Sequence, residues 1–278
     1  MVDPGKGLVG PQPHWLGTLL YVPVLYGVGW LISRPFLWLV PSLRPDQGDL
    51  IGAMLALILL LISLPWRLRL GLGVAEPWRF LGLVGPPGRI LSSWLRGTLK
   101  AAVLLLVVAS GLLLAGVARW RGWAGLDGAE ILNALALAVG VGFAEELVFR
   151  GWLWGELGQL VGRRQALLYQ AILFGLVHPW WRVPGLGAAG LLGGLILLGL
   201  VLGLQRRADA GALWGAIGLH GGLVGGWFAL QAGPLALTAS GPEWLLGPGG
   251  LGETNPIGGV IGWLALAGLI LIRRPWWS

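Results

Sequence analysis

The chain has 278 residues, 56% of them hydrophobic and 11% charged, with a formal net charge of +7. Soluble domains carry about 25% charged residues, so a soluble enzyme is excluded and a polytopic membrane protein is indicated. With no cysteine, disulfides, thiolate nucleophiles and Cys-based metal sites are excluded as well.

The N-terminus carries Lys6 and several prolines but no basic region followed by a cleavage site, so no cleaved signal peptide is expected. His14 then precedes the first apolar run and reads as interfacial. Eight runs are each about long enough to cross ~30 Å of hydrocarbon. They are 15–33, 50–64, 101–117, 130–149 with a continuation, 166–181, 186–204, 210–230 and 256–272. The second is short, between Pro41 and the pair Arg67/Arg69. The stretch 67–100, with Gly85-Pro86-Pro87-Gly88 at its middle, reads as interfacial pieces on the cytoplasmic face. The 50 glycines let membrane helices approach closely. Trp120, Trp123, Trp180, Trp181, Trp276 and Trp277 end apolar runs, at headgroup level.

The expected fold is therefore an all-α, polytopic membrane helix bundle of about eight transmembrane helices in a single membrane domain, 1–278. Lys and Arg between the runs sum to thirteen on one side and five on the other, with Arg150 set aside. By the positive-inside rule both termini are cytoplasmic. The basic residues lie in loops between apolar runs, so they read as a membrane surface and no nucleic acid is expected as a partner.

The fourth run ends in Gly142-Phe143-Ala144-Glu145-Glu146-Leu147-Val148-Phe149-Arg150. Ionisable groups inside membrane segments are costly and usually mark function. On a helix Glu146 and Arg150 are four apart and share a face. Glu145 is rotated about 100° away and keeps no local counter-charge. Glu146–Arg150 is thus the structural pair, and Glu145 is the carboxylate left for chemistry as a general base.

His178 ends Phe174-Gly175-Leu176-Val177-His178, and His220 lies midway along the seventh run in Gly218-Leu219-His220-Gly221-Gly222. Counted at 1.5 Å per residue from the nearest basic helix end, Glu145, His178 and His220 lie at depths of roughly 20–22 Å. Three polar residues on three runs at one depth point to one site. Two chemistries remain open. Glu145 activates water while a histidine polarises the carbonyl or holds the oxyanion, or Glu145, His178 and His220 hold a divalent metal such as zinc with an open water position.

Glu145-Glu146-x-x-x-Arg150, Phe174-x-x-x-His178 and then His220, in that order, resemble the CPBP family of intramembrane proteases, which includes the type II CAAX prenyl endopeptidase and the bacterial Abi proteins. The resemblance covers about 131–227. It implies variable N-terminal spans over 1–125, a protease core over about 130–230 and a last span at 256–272. It also implies an eight-helix bundle that cleaves a peptide bond near the membrane surface. In that family Glu145 would activate the water, and His178 would assist as base or metal ligand. His220 would hold the oxyanion, with Glu146 and Arg150 supporting the motif. The sequence departs from the family at Val224, where His-x-x-x-Asn or Asp is usual, so one amide donor is missing. Asn255, at the start of the last span, is a candidate to supply a polar group from outside.

The expected function is an intramembrane endopeptidase acting on a membrane-embedded or lipidated peptide or protein in the lipid bilayer. The alternatives are a non-catalytic scaffold or immunity-type protein of the same fold, and a proton-relay transporter. Against the transporter stands the lack of inverted repeats. High Gly, Trp, Leu and Arg with little Lys fit a GC-rich genome and a bacterial plasma membrane, where a prenylated protein substrate is not expected.

Overall fold

In the computed structural model, residues 12–238, 241–249 and 254–272 are described. Lys6, Arg273, Arg274, Trp276 and Trp277 lie outside the described residues.

Helix α1 (Trp15–Leu39) and helix α2 (Pro45–Leu72) form an antiparallel hairpin. Its seam is made of small residues. A Cβ on Gly29 would collide with the backbone of Gly52 and Ala56, and one on Gly48 would enter the side chain of Leu37. Gly73 ends α2 in the left-handed region (φ 66°), with its N–H on the carbonyl of Arg69. The one-turn helix α3 (Pro77–Phe80) follows, then α4 (Pro87–Leu114). The expected interfacial pieces over 90–96 are instead the opening turns of α4, because Pro87 sits in the first helical turn, where proline is favoured, and nothing interrupts the helix afterwards.

Strand β1 (Ala118–Trp120) pairs antiparallel with β2 (Leu235–Leu237), Arg119 opposite Ala236, and ties the end of α4 to the end of a later helix. Helix α5 (Gly128–Glu146) begins where the Asp127 carboxylate accepts the Glu130 N–H at 2.9 Å. It continues without a break into a π-helical segment, Leu147–Leu153, and then α6 (Trp154–Val161). Helices α7 (Arg163–Val177), α8 (Leu186–Ala208) and α9 (Trp214–Ala232) complete the core. The one-turn α10 (Glu243–Leu246) and α11 (Val260–Ile272) close the described chain.

The fold is all-α but for one short strand pair, and each expected span falls on a helix with shifted ends. Among the described residues five helical stretches are long and apolar enough to cross a membrane: 15–39, 45–72, 87–114, 128–161 and 186–208. The other three stand outside that set for physical reasons. Helix α7 has 15 residues, and α11 has 13 among the described residues. The first half of α9 is buried against protein, so its sequence need not satisfy lipid.

Glycine places α9. A Cβ on Gly97 of α4 would collide with the Gly215 carbonyl, and one on Gly218 with that of Trp94. On the other side, Cβ atoms on Gly221 and Gly225 would collide with the carbonyls of Ala138 and Ala134 in α5. Backbone therefore meets backbone on both flanks of α9, the geometry that small residues permit between membrane helices. This wedges His220 against the end of α5.

Candidate active site

Three elements meet at the end of α5. The last residues of α5 supply Glu145 and Glu146, and the π segment supplies Arg150. Single-turn π segments frequently occur at functional sites.

Helix α7 supplies Phe174 and His178. Pro179 cannot continue the helix and biases the residue before it to extended backbone, and His178 has φ −80° and ψ 149°. Its Nδ1–H turns back to donate to the Phe174 carbonyl at 2.6 Å, one of the acceptors that a helix end leaves without an intrahelical donor. Helix α9 supplies His220, whose Nδ1–H donates to Glu146 Oε1 at 2.8 Å. A carbonyl and an ion-paired carboxylate can only accept, so both tautomers follow from the partners.

Both rings consequently turn Nε2 toward the same atom. Glu145 Oε2 lies 3.5 Å from His178 Nε2 and 3.9 Å from His220 Nε2. That oxygen is buried and makes no hydrogen bond within the protein. Glu146 Oε1 takes Arg150 Nη1 at 2.8 Å, and both side chains are wholly buried. The expected split between the two glutamates matches this geometry: Glu146 pairs with Arg150, and Glu145 faces the histidines. The side chains of Glu145 and His178 are 30% and 25% exposed, against 4% for His220, so the cluster opens on the Glu145–His178 side.

The Phe174 ring is the packing centre. It lies 4.5 Å from the His178 ring, 5.8 Å from His220 and 5.1 Å from Phe149. The Arg150 guanidinium stacks on it at 4.2 Å. Every residue singled out from the sequence, Glu145, Glu146, Arg150, Phe174, His178 and His220, thus belongs to one cluster. Asn255 does not extend it by any contact seen here. Its side-chain oxygen accepts the Ile257 N–H and caps the turn Pro256–Gly258.

Residues 127–225 match the family described as type II CAAX prenyl endopeptidase Rce1-like. This segment is an Rce1-like domain, consistent with the CPBP resemblance. Residues 3–75 match a separate family, a domain of unknown function (DUF8676). No curated protein and no solved structure matches the chain. The Rce1-like domain supports an intramembrane protease role, hence a hydrolase, in an integral membrane protein.

The structure corrects the sequence reading of two further charges and adds a third. Arg67 and Arg206, which read as loop residues, both point into the protein. Arg67 meets Glu156 through two bonds, at 2.7 and 2.8 Å. Arg206 donates to the carbonyls of Gly151, Phe80 and Gly211 and so joins the Rce1-like domain to the α3 turn. Glu156 itself, 1% exposed, was not singled out from sequence. A carboxylate four residues after Trp152 in an apolar stretch was the available signal.

Proposed function

We propose that the chain is an intramembrane endopeptidase in which Glu145 activates water for attack on a peptide carbonyl. The observation that carries this reading is the convergence of two imidazole Nε2 atoms on one unpartnered, buried carboxylate oxygen. Glu145 takes a proton from water, and the hydroxide adds to the carbonyl carbon. His178 Nε2, 3.5 Å from the same oxygen, steadies the water and then the proton, which passes to the leaving amine as the C–N bond breaks. His220 with a proton on Nε2 donates to the oxyanion, and Glu146 on its other nitrogen offsets the charge.

A carboxylate and two imidazoles are also a donor set that suits zinc. Glu145, His178 and His220 would hold the ion, which when bound would polarise a carbonyl and lower the pKa of its water. The steps above are those of the protein's own groups.

The substrate class is a membrane-embedded or lipidated peptide, cut in a bacterial plasma membrane with both chain termini in the cytoplasm. The family's name points to a prenylated C-terminal peptide as the first probe. The test uses purified protein in nanodiscs with two quenched fluorescent probes, a farnesylated peptide and a transmembrane peptide. Glu145→Gln is expected to lower cleavage ~10²–10⁴-fold, the contribution of a general base, with unchanged thermal stability. Equal cleavage by Glu145→Gln refutes the reading. Loss of cleavage on chelation, restored by zinc, selects the metal form.

A further inference from the structure

Glu156 uses both carboxylate oxygens fully. Oε1 accepts Arg67 Nε at 2.7 Å and Trp152 Nε1 at 2.6 Å. Oε2 accepts Arg67 Nη2 at 2.8 Å and the Thr18 hydroxyl at 2.7 Å. Four donors thus come from α1, α2 and the π segment onto one buried carboxylate. Around it Tyr21 stacks edge-on against Trp152 at 5.0 Å, and the Arg67 guanidinium lies 4.5 Å from the Tyr21 ring. The stripe Leu60, Leu64, Leu68 and Leu72 of α2 joins the same apolar core as Leu147, Trp152, Leu153 and Leu157.

The π segment is held at both ends by bonds of the same spacing. Glu146 holds Arg150 four residues on, and Glu156 holds Trp152 four residues back. A π turn is rare beside an α turn, and uncommon backbone persists where its surroundings impose it. If Trp152 is released, the segment can rewind toward α geometry, which keeps Arg150 beside Glu146 but turns it about the axis, off the Phe174 ring on which it stacks.

We propose that the α1–α2 hairpin is a brace for the active-site cluster. Through Arg67 and Thr18 it fixes Glu156 and Trp152, and these hold the π segment in the register that sets Arg150 on the Phe174 ring while it pairs with Glu146. Glu156 is then a positioning residue, and the domain of unknown function at residues 3–75 has a stated task. Its catalytic consequence rests on the endopeptidase reading, whereas the brace itself does not.

The test uses the full chain in nanodiscs. Arg67→Leu with Glu156→Leu removes both charges together, so neither is left buried alone. Amide hydrogen exchange over 147–153 is expected to rise while 186–208 keeps its protection. Cleavage of whichever of the two probes the parent protein cuts is expected to fall about 10²-fold in kcat with KM unchanged, the size of effect that a small misplacement of catalytic groups produces. The reversed pair, Arg67→Glu with Glu156→Arg, is expected to restore part of the protection. Thr18→Val removes one donor of the four and is expected to give a smaller rise, and it decides the matter if the double variant does not fold. Unchanged exchange over 147–153, or an equal rise over 186–208, overturns the brace. Exchange does not need turnover, so a parent protein that cleaves neither probe refutes the endopeptidase reading and leaves the brace to be decided by exchange.

Discussion

His220 Nδ1 and Arg150 Nη1 both donate to one oxygen of Glu146, each at 2.8 Å. The second carboxylate of the pair therefore does more than neutralise an arginine. It orients the imidazole whose other nitrogen faces Glu145, and it couples α9 to the π segment through a single atom.

Removing one member of that group leaves an uncompensated charge in a fully buried place. Arg150→Ala or Glu146→Ala is expected to lower stability by about 3–5 kcal/mol, the cost of breaking a buried pair from one side. Glu146→Gln with Arg150→Met is expected to lose less than the two single variants combined, since the partners go together. Denaturant titration in detergent, followed by circular dichroism, measures both.

The close approach of α5 and α9 gives a separate expectation. A Cβ at Gly221 meets the carbonyl and Cα of Ala138, which are backbone and cannot yield as a flexible side chain would. Gly221→Ala is expected to cost about 1–3 kcal/mol through overpacking. It is also expected to move His220 away from Glu146, so cleavage should fall more than stability alone explains. Thermal melts paired with kcat at a temperature where the variant is folded separate the two effects.

Val224 lies one helical turn beyond His220 and is half-buried, at the position where the CPBP resemblance implies an amide or acid. One oxyanion donor is worth ~10²–10³ in rate. Val224→Asn is therefore expected to raise kcat on either fluorescent probe, with KM little changed. A fall in kcat would show that the oxyanion lies elsewhere.

Phe174 is wholly buried and touches both histidines and the guanidinium. Phe174→Ala is expected to destabilise by about 3–5 kcal/mol, as for other buried aromatics cut to alanine. Phe174→Leu fills more of the space and is expected to keep the fold while lowering kcat. Calorimetry on both variants, with parallel cleavage assays, distinguishes packing from chemistry.

Much of the site could be read from the chain because its rules are local. The i, i+4 spacing of Glu146 and Arg150 predicts their pairing, and the 100° step sets Glu145 apart. The depth count brings His178 and His220 to the same level. What local rules miss is a partner far along the chain. Arg67 and Glu156 are 89 positions apart, and a basic residue at the end of an apolar run looks the same whether it faces headgroups or a buried carboxylate. Arg206 hid for the same reason.

The sequence by itself determined a helical membrane protein with one costly group of charges, because lipid leaves few ways to satisfy polar atoms and each way has a short-range signature. Only the tertiary structure decided which charges far apart in the chain are partners. Glycine faces let α4, α5 and α9 meet backbone to backbone, and that approach puts His220 on Glu146 and both Nε2 atoms on Glu145. The π segment, and the hairpin that grips it, depend on contacts between chain segments that no window of sequence contains.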